Sequence, residues 1–401
     1  MNGQPISVLV VDDSALMRNL IGRIVAANSE LQLVGTAMNG AFALQKLEKL
    51  GPDVIVLDIE MPQMNGLQFL EERKRRGIDI PVVVLSSVAE RGARITMEAL
   101  ALGASDFVTK PSGSESEDLH VIGEQLTHLL TSYGRQHQMR RRQVAESAGE
   151  KHAVSTERTA DSSSSQPPPQ APSEYPDITL PLQIEPADLD AGVEALIRNR
   201  RKENGRQSGI EVLAIGISTG GPNALRKIFA ELSPDLGLAV MVVQHMPAGF
   251  TEEFARSLDR ICALEVREAK EGDVARPGRV LIAPGNRHLT LERLPLGVIA
   301  HLGSEAAVNG HRPSADVLFH SVAEVYGARS MAVIMTGMGR DGAQSIGNIK
   351  SKGGITLGQD AATSIVYGMP KVAYEKGFVQ LQVPLPHIAG VINRLAAEFR
   401  V

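Results

Sequence analysis

Cysteine occurs once in the 401 residues, as Cys262. An internal disulfide is therefore excluded, and such sparing use belongs to a reducing compartment. Cys262 sits in RICALEV with no neighbour that would activate a thiol, so a small apolar role is expected of it. No apolar run approaches the ~18 residues of a membrane span. The N-terminal MNGQPISVLVVDDS reads as a strand followed by acids, not as a signal peptide. The expectation is a cytoplasmic protein without membrane insertion. Excess charge is missing too: a net charge of −5 gives no reason to expect nucleic acid or an anionic membrane as partner. The basic run Arg140, Arg141, Arg142 lies in a polar stretch and reads as a solvated face. What is present, 43% hydrophobic and 22% charged residues, fits soluble globular protein, and the length calls for two domains and a connector.

From Ile6 to about Ser132 short apolar runs alternate with helical patterns. The runs are Ile6–Val11, Leu33–Ala37, Val54–Leu57, Val82–Leu85 and Asp106–Thr109, and Leu16, Leu20, Ile24 and Val25 share one helical face. Such alternation predicts a parallel sheet covered on both faces, an open doubly wound (βα)5 domain over residues 5–124. Residues 125–207 form the predicted connector. Its Gln/Ser/Pro-rich part, about Tyr133 to Pro181, has too few large apolar residues to offset ordering and is expected to be extended and disordered. Leu189, Val193, Leu196 and Ile197 predict a short amphipathic helix over 186–201. A second α/β region spans 208–399, with strands expected at Val212–Ile217, Leu238–Val243, Arg279–Ala283, Ala332–Thr336 and Gly354–Leu357. Helices are expected at Pro222–Leu232 and Gly342–Lys350.

Ligands bind at the carboxyl ends of strands in an open parallel sheet. In the first region those ends carry Asp12 and Asp13, then Asp58, Ser86 and Lys110. Singly each has an ordinary reading, Asp12 and Asp13 as helix caps before Ser14 and Lys110 as a surface lysine. Together they make a site. Packed carboxylates repel unless a cation neutralises them, and hard oxygen ligands suit Mg²⁺. One carboxylate can then accept a phosphoryl group. The pieces VLVVDDS, VIVLDIEMPQMNGL, PVVVLSS and GASDFVTKP resemble the receiver domains of two-component response regulators, which have a flavodoxin-like fold. That resemblance implies Asp58 as phosphoacceptor from a histidine kinase, with Mg²⁺ held by Asp12, Asp13, Asp58 and the Ile59 carbonyl. It also implies Ser86, Phe107 and Lys110 as the switch residues and a cis Lys110–Pro111 bond.

In the second region IGISTGGP (215–222) is a strand turning into a helix. Gly216 and Gly220 would permit the turn, and Pro222 suits the first helical turn. Gly216-Ile-Ser218-Thr-Gly220 fits G-x-S-x-G. By itself the loop fits a nucleophile, a phosphate site or plain turn chemistry equally well. A serine nucleophile needs a histidine base and an orienting acid. His245, directly after a strand, leads over His311 and His288 by position. Asp341 is the candidate acid, with Asp316 as alternative and a first-turn helix acid as its ordinary reading.

GISTGGP, QHMPAGFT, APGNRHL, HRPSADVLF and TGMGRDGA, in order from about Ile210 onward, resemble chemotaxis-type protein-glutamate methylesterases. The resemblance implies a doubly wound, largely parallel catalytic domain with Ser218 as nucleophile, His245 as base and Asp341 as orienting acid. Thr219 would lie at the substrate edge, and the Met338 N–H would help to form an oxyanion hole. No cofactor is expected for the ester hydrolysis. The implied partners are methyl-accepting chemoreceptors as substrate and a chemotaxis-type histidine kinase as phosphodonor, with receptor deamidation as a second activity. The receiver is expected to pack over the catalytic edge until Asp58 is phosphorylated. Two other readings are weaker. A dinucleotide enzyme lacks G-x-G-x-x-G here, and a DNA-binding regulator lacks a basic recognition helix.

Overall fold

A computed structural model of the protein describes residues 4–87, 89–110, 116–153, 184–204 and 209–400. The N-terminal region runs β1 (Ile6–Val11), α1 (Ala15–Ala26), β2 (Leu31–Ala37), α2 (Gly40–Leu50), β3 (Val54–Asp58), α3 (Gly66–Arg75), β4 (Val82–Ser86), α4 (Glu90–Ala101), β5 (Asp106–Thr109) and α5 (Ser116–Ala153). Its strands pair in parallel in the order β2-β1-β3-β4-β5. β3 and β4 are buried along their whole length, which is why their sequences are apolar up to the last residue, Asp58 and Ser86. Helix starts follow side-chain caps: Ser14 accepts from Met17 N, and Asn65 with Gln68 forms a capping box.

α5 corrects the expected connector. The helix continues to Ala153, through residues 133–153 that read as extended chain. Leu126, Leu129, Leu130 and Tyr133 are buried against the receiver sheet, and the stripe ends at His137, whose polar identity hid it. Residues 154–183, the Ser/Pro-rich centre of that connector, lie outside the described residues, as does Pro111. The helix expected at 186–201 is present as α6 (Pro186–Asn204), with Leu189, Val193, Leu196 and Ile197 all buried. It docks on the second domain, where the Arg200 guanidinium donates to the carbonyls of Gly353 and Ala328 at 2.7 and 2.5 Å.

The second domain continues with β6 (Val212–Ile217), α7 (Gly221–Glu231), β7 (Ala239–Gln244), α8 (Phe250–Asp259), β8 (Glu265–Glu268), β9 (Arg279–Ile282) and the hairpin β10 (His288–Leu294) and β11 (Gly297–Gly303). It ends with α9 (Ala315–Tyr326), β12 (Ser330–Ile334), α10 (Ile346–Ser351), β13 (Ile355–Gln359), α11 (Met369–Glu375), β14 (Leu381–Val383) and α12 (Leu385–Glu398). The main sheet is parallel, in the order β14-β13-β12-β6-β7-β9-β8. The chain builds outward from β6 on one side and returns through β12 on the other. The crevice at the carboxyl ends of β6 and β12 is therefore the topological switch point.

The two domains meet there. One apolar cluster runs through Met97 and Phe107 of the receiver into Phe250 and Phe254 of α8. Phe107 stacks on Phe250 with centroids 4.9 Å apart. Asn223 Nδ2 donates to the carbonyls of Ala104 and Ser105 at 2.8 and 2.9 Å, and Gly220 N donates to Asp106 Oδ2 at 2.9 Å.

Candidate active site and acidic cluster

Strand register brings the expected residues together. Ile217 pairs with Gln244 across β6 and β7, so Ser218 and His245 leave adjacent strand ends side by side. The His245 N–H donates to Ile217 O at 3.2 Å, and Ser218 N donates to Thr336 O at 2.9 Å, just past β12. Asp341 arrives from the loop after β12. Its place differs from the expectation of a first-turn acid, because turns separate it from α10, which starts only at Ile346. The helix it serves is α9. Ala315 N and Asp316 N, at the start of α9, donate to its carboxylate at 2.6 and 3.4 Å, and Ser314 Oγ, the α9 cap, donates at 2.6 Å.

Gly216 also plays another part than expected. It lies in β6 where a Cβ would meet Ala315 Cβ at 2.8 Å, so it lets α9 approach the sheet. The turn itself belongs to Gly220, with φ of 77°.

Asp341 is fully buried, yet its carboxyl sits well below the ordinary range. Burial pushes it up, and the hydrogen bond and charge of His245, with the bonds from Ser314 and Asn309, outweigh that push. An ionised carboxylate only accepts, so the 2.8 Å contact between His245 Nε2 and Asp341 Oδ2 requires the proton on Nε2. In the neutral ring Nδ1 is then the free base, and it is buried without a hydrogen-bond partner. No hydrogen bond joins Ser218 Oγ to His245 among the described residues. Such contacts are commonly long before substrate binds. The Thr219 and Met338 N–H groups also lack partners among the described residues, and the Met338 side chain is exposed.

The rival residues are accounted for. His288 is buried on β10 with Nε2 at 3.1 Å from Ala306 O. Asp316 is engaged by Ser345 N and Asn309 Nδ2 at 2.7 Å each, and does not reach a histidine. His311 lies against His245, with ring centroids 3.7 Å apart. Cys262 is half-buried and packs on the core, and burial pushes its thiol up, the opposite of activation. Sequence reasoning missed Asn309 and Ser314, both bonded to Asp341. The Asn-Gly pair and the Ser-Ala-Asp helix start were the available signals.

In the receiver, Asp12, Asp13 and Asp58 offer oxygens that lie within 4.8 Å of one another. Lys110 Nζ bonds Asp58 Oδ1 at 2.8 Å and faces Asp12 Oδ2 at 3.5 Å, without a hydrogen bond to the latter. Burial, then the Asp58 charge, raises the Asp12 carboxyl. Burial would lower Lys110, but Asp58 and Asp12 hold it above its usual value. A buried carboxylate oxygen with no hydrogen bond, beside two further acids, fits a hard divalent cation. The Ile59 carbonyl accepts the Gly66 N–H at 2.8 Å and closes the turn into α3; its second lone pair is not used by that bond. Ser86 Oγ and Thr96 Oγ1 are 2.5 Å apart, linking β4 to α4.

The comparisons agree with this division. The response regulator receiver domain family matches residues 8–122, and the CheB methylesterase family matches residues 213–392. A protein-glutamate methylesterase/protein-glutamine glutaminase of Treponema denticola is 49% identical over 99% of this chain and 100% of its own length. The Treponema pallidum protein of the same name is 50% identical over 99% of each chain. The crystal structure of the Thermotoga maritima CheB methylesterase catalytic domain is 38% identical, covers 46% of this chain and 98% of that one, and gives a TM-score of 0.46. The dinucleotide-binding and DNA-binding readings give way to this result. Receiver, connector helices and hydrolase sheet in one chain, with relatives matched along their whole length, lead to one assignment: the chain belongs to the protein-glutamate methylesterase/protein-glutamine glutaminase (CheB) family.

Proposed function

We propose that the protein hydrolyses glutamyl methyl esters on chemoreceptors, deamidates receptor glutamines by the same route, and does both under control of phosphorylation at Asp58. The observation that carries the reading is the 2.8 Å contact at the switch point by which ionised Asp341 fixes His245 and leaves Nδ1 as a free base, with Ser218 following the neighbouring strand. His245 Nδ1 takes the Ser218 proton as Oγ attacks the ester carbonyl. The N–H groups of Thr219 and Met338 then receive the oxyanion. As the intermediate collapses, the His245 proton passes to the leaving oxygen and methanol departs. Water, deprotonated by His245, attacks the acyl-enzyme and releases glutamate and Ser218. With a glutamine side chain the leaving group is ammonia.

Asp58 is the proposed phosphoacceptor, from a chemotaxis-type histidine kinase. Asp12, Asp13, Asp58 and the Ile59 carbonyl would hold Mg²⁺, whose charge offsets the clustered carboxylates and the incoming phosphoryl oxygens. Lys110 pairs with Asp58 and would hold a phosphoryl oxygen there. Ser86 and Phe107 would carry the change from that cluster to the domain interface. Phe107, Asp106 and the 104–105 carbonyls grip α8 and the α7 N-terminus, next to Ser218. Docking of this kind would restrict access of a receptor helix until phosphorylation shifts the population to an open form.

The test is methanol release from methylated receptor by the Ser218→Ala protein. Loss of turnover by several orders of magnitude is expected, and near-wild-type turnover would remove the assignment.

A further inference from the structure

Between β11 and α9 the chain reverses at Val308-Asn309-Gly310-His311. Val308 N and His311 N each donate to the other residue's carbonyl, at 3.0 and 2.9 Å, and Asn309 and Gly310 take φ of 53° and 81°. Both central residues lie in the left-handed region that a type I′ turn requires, and Asn-Gly suits that turn best. The Arg312 guanidinium ties down the next residue, donating to Asn286 Oδ1 and to the carbonyls of Ser304 and Glu305.

The turn delivers two side chains to one place. Asn309 Nδ2 donates to Asp341 Oδ1 at 3.1 Å. The His311 ring lies flat on that of His245, centroids 3.7 Å apart and planes 12° apart. We propose that His311 is a positioning residue for the reaction, fixing the ring plane of His245 by face-to-face stacking so that Nδ1 stays presented to Ser218. The proposal rests on the reading of His245 as the base.

The Nε2–Asp341 bond alone is a hinge. An imidazole held at one nitrogen can rock about its Cβ–Cγ bond and carry the other nitrogen out of line, and a ~1 Å misplacement costs ~10²-fold in rate. A ring at van der Waals distance across the whole face removes that freedom. Stacking also sets His311 apart from a second base, since no hydrogen bond joins the two rings and their faces, not their edges, meet. Burial, then His245, holds His311 down to about 4 against the pull of Asp341. The stacked ring is therefore uncharged near neutral pH, and no cation opposes proton uptake by its neighbour.

The experiment is steady-state methanol release from methylated receptor by the full-length, phosphodonor-treated protein, with thermal unfolding followed in parallel. Wild type is compared with His311→Ala, His311→Phe, His311→Leu and Ser218→Ala. Phe keeps a flat ring without nitrogens, and Leu fills the volume without a flat face. The expected result is a ~10- to 100-fold fall in kcat for His311→Ala and His311→Leu, with KM within about twofold, and recovery of most of kcat in His311→Phe. Equal kcat in Leu and Phe variants overturns the stacking role even if the Ala protein is unstable. A Phe variant as slow as the Ala variant overturns it in favour of a proton-handling nitrogen. Turnover by Ser218→Ala would sink the underlying reading. An inactive Ser218→Ala beside an unimpaired His311→Ala would sink this inference alone.

Discussion

Replacing Asn223 by alanine should release the catalytic domain from its receiver without touching either chemical site. Asn223 Nδ2 makes two cross-domain hydrogen bonds, at 2.8 and 2.9 Å to Ala104 O and Ser105 O, in a half-buried setting. A neutral hydrogen bond of this kind contributes ~0.5–1.5 kcal/mol net, so the pair is worth ~2 kcal/mol of docking. At ~1.4 kcal/mol per tenfold, the open population of the unphosphorylated protein should rise ~30-fold. Alanine is a good helix former at this place in α7, so the helix should persist. The assay is methanol release from methylated receptor without phosphodonor, repeated at saturating phosphodonor. Basal turnover should rise by up to ~30-fold while the docked form still predominates, and the phosphorylated rates of variant and wild type should converge. Unchanged basal turnover together with an unchanged phosphorylated rate would refute docking as the source of restraint.

Three further outcomes follow from particular contacts. A Cβ on Gly337 would meet Ser218 Cβ at 2.7 Å and Met369 Sδ; Gly337→Ala should therefore displace the nucleophile and lower kcat ~10²-fold, checked by steady-state kinetics on protein of wild-type receiver phosphorylation. Asp341→Asn can donate its amide to His245 Nε2, which puts the ring proton on Nδ1; turnover should drop ~10³–10⁴-fold, and a loss below tenfold would speak against Asp341 as orienting acid. Burial raises Asp106 to about 6, from an unfolded value of ~3.9. A raised acid contributes stability that is complete below the unfolded value and lost as pH rises through the folded one. Between pH 5 and pH 7.5 the wild type should therefore lose more stability than Asp106→Asn, read by denaturant unfolding of both proteins. An identical loss in the two would count against it.

The strand ends were the most legible part of the molecule. Ile6–Val11 and Val212–Ile217 are apolar runs because both faces of a parallel sheet are covered, and the chemistry follows each run directly. β8 was invisible for the opposite reason: Glu265 and Arg267 are charged, and Glu265 is held by Arg276 and Arg279 at the sheet edge. The β10–β11 hairpin carried a readable alternation, with Leu289, Leu291, Val298 and Ala300 on the buried side, but its antiparallel pairing breaks the βα rhythm. Asp341 could be named from sequence, yet its support could not. The groups that hold it ionised come from residues 309–316, brought near only by the packing of α9 on β6, where Gly216 makes room. The same holds for the interface, since nothing local to Asp106 or Gly220 announces that one will accept from the other.

The central claim is that an acidic cluster in one sheet controls a serine site in another. It is tested most directly by methanol release from methylated receptor with and without a small-molecule phosphodonor, for wild type and Asp58→Ala at matched protein concentration. The account predicts marked stimulation of wild type and an Asp58→Ala protein that keeps its basal rate and ignores the phosphodonor. Stimulation that survives in Asp58→Ala, or a wild type indifferent to the phosphodonor while Asp58 is shown by mass spectrometry to be phosphorylated, would contradict it.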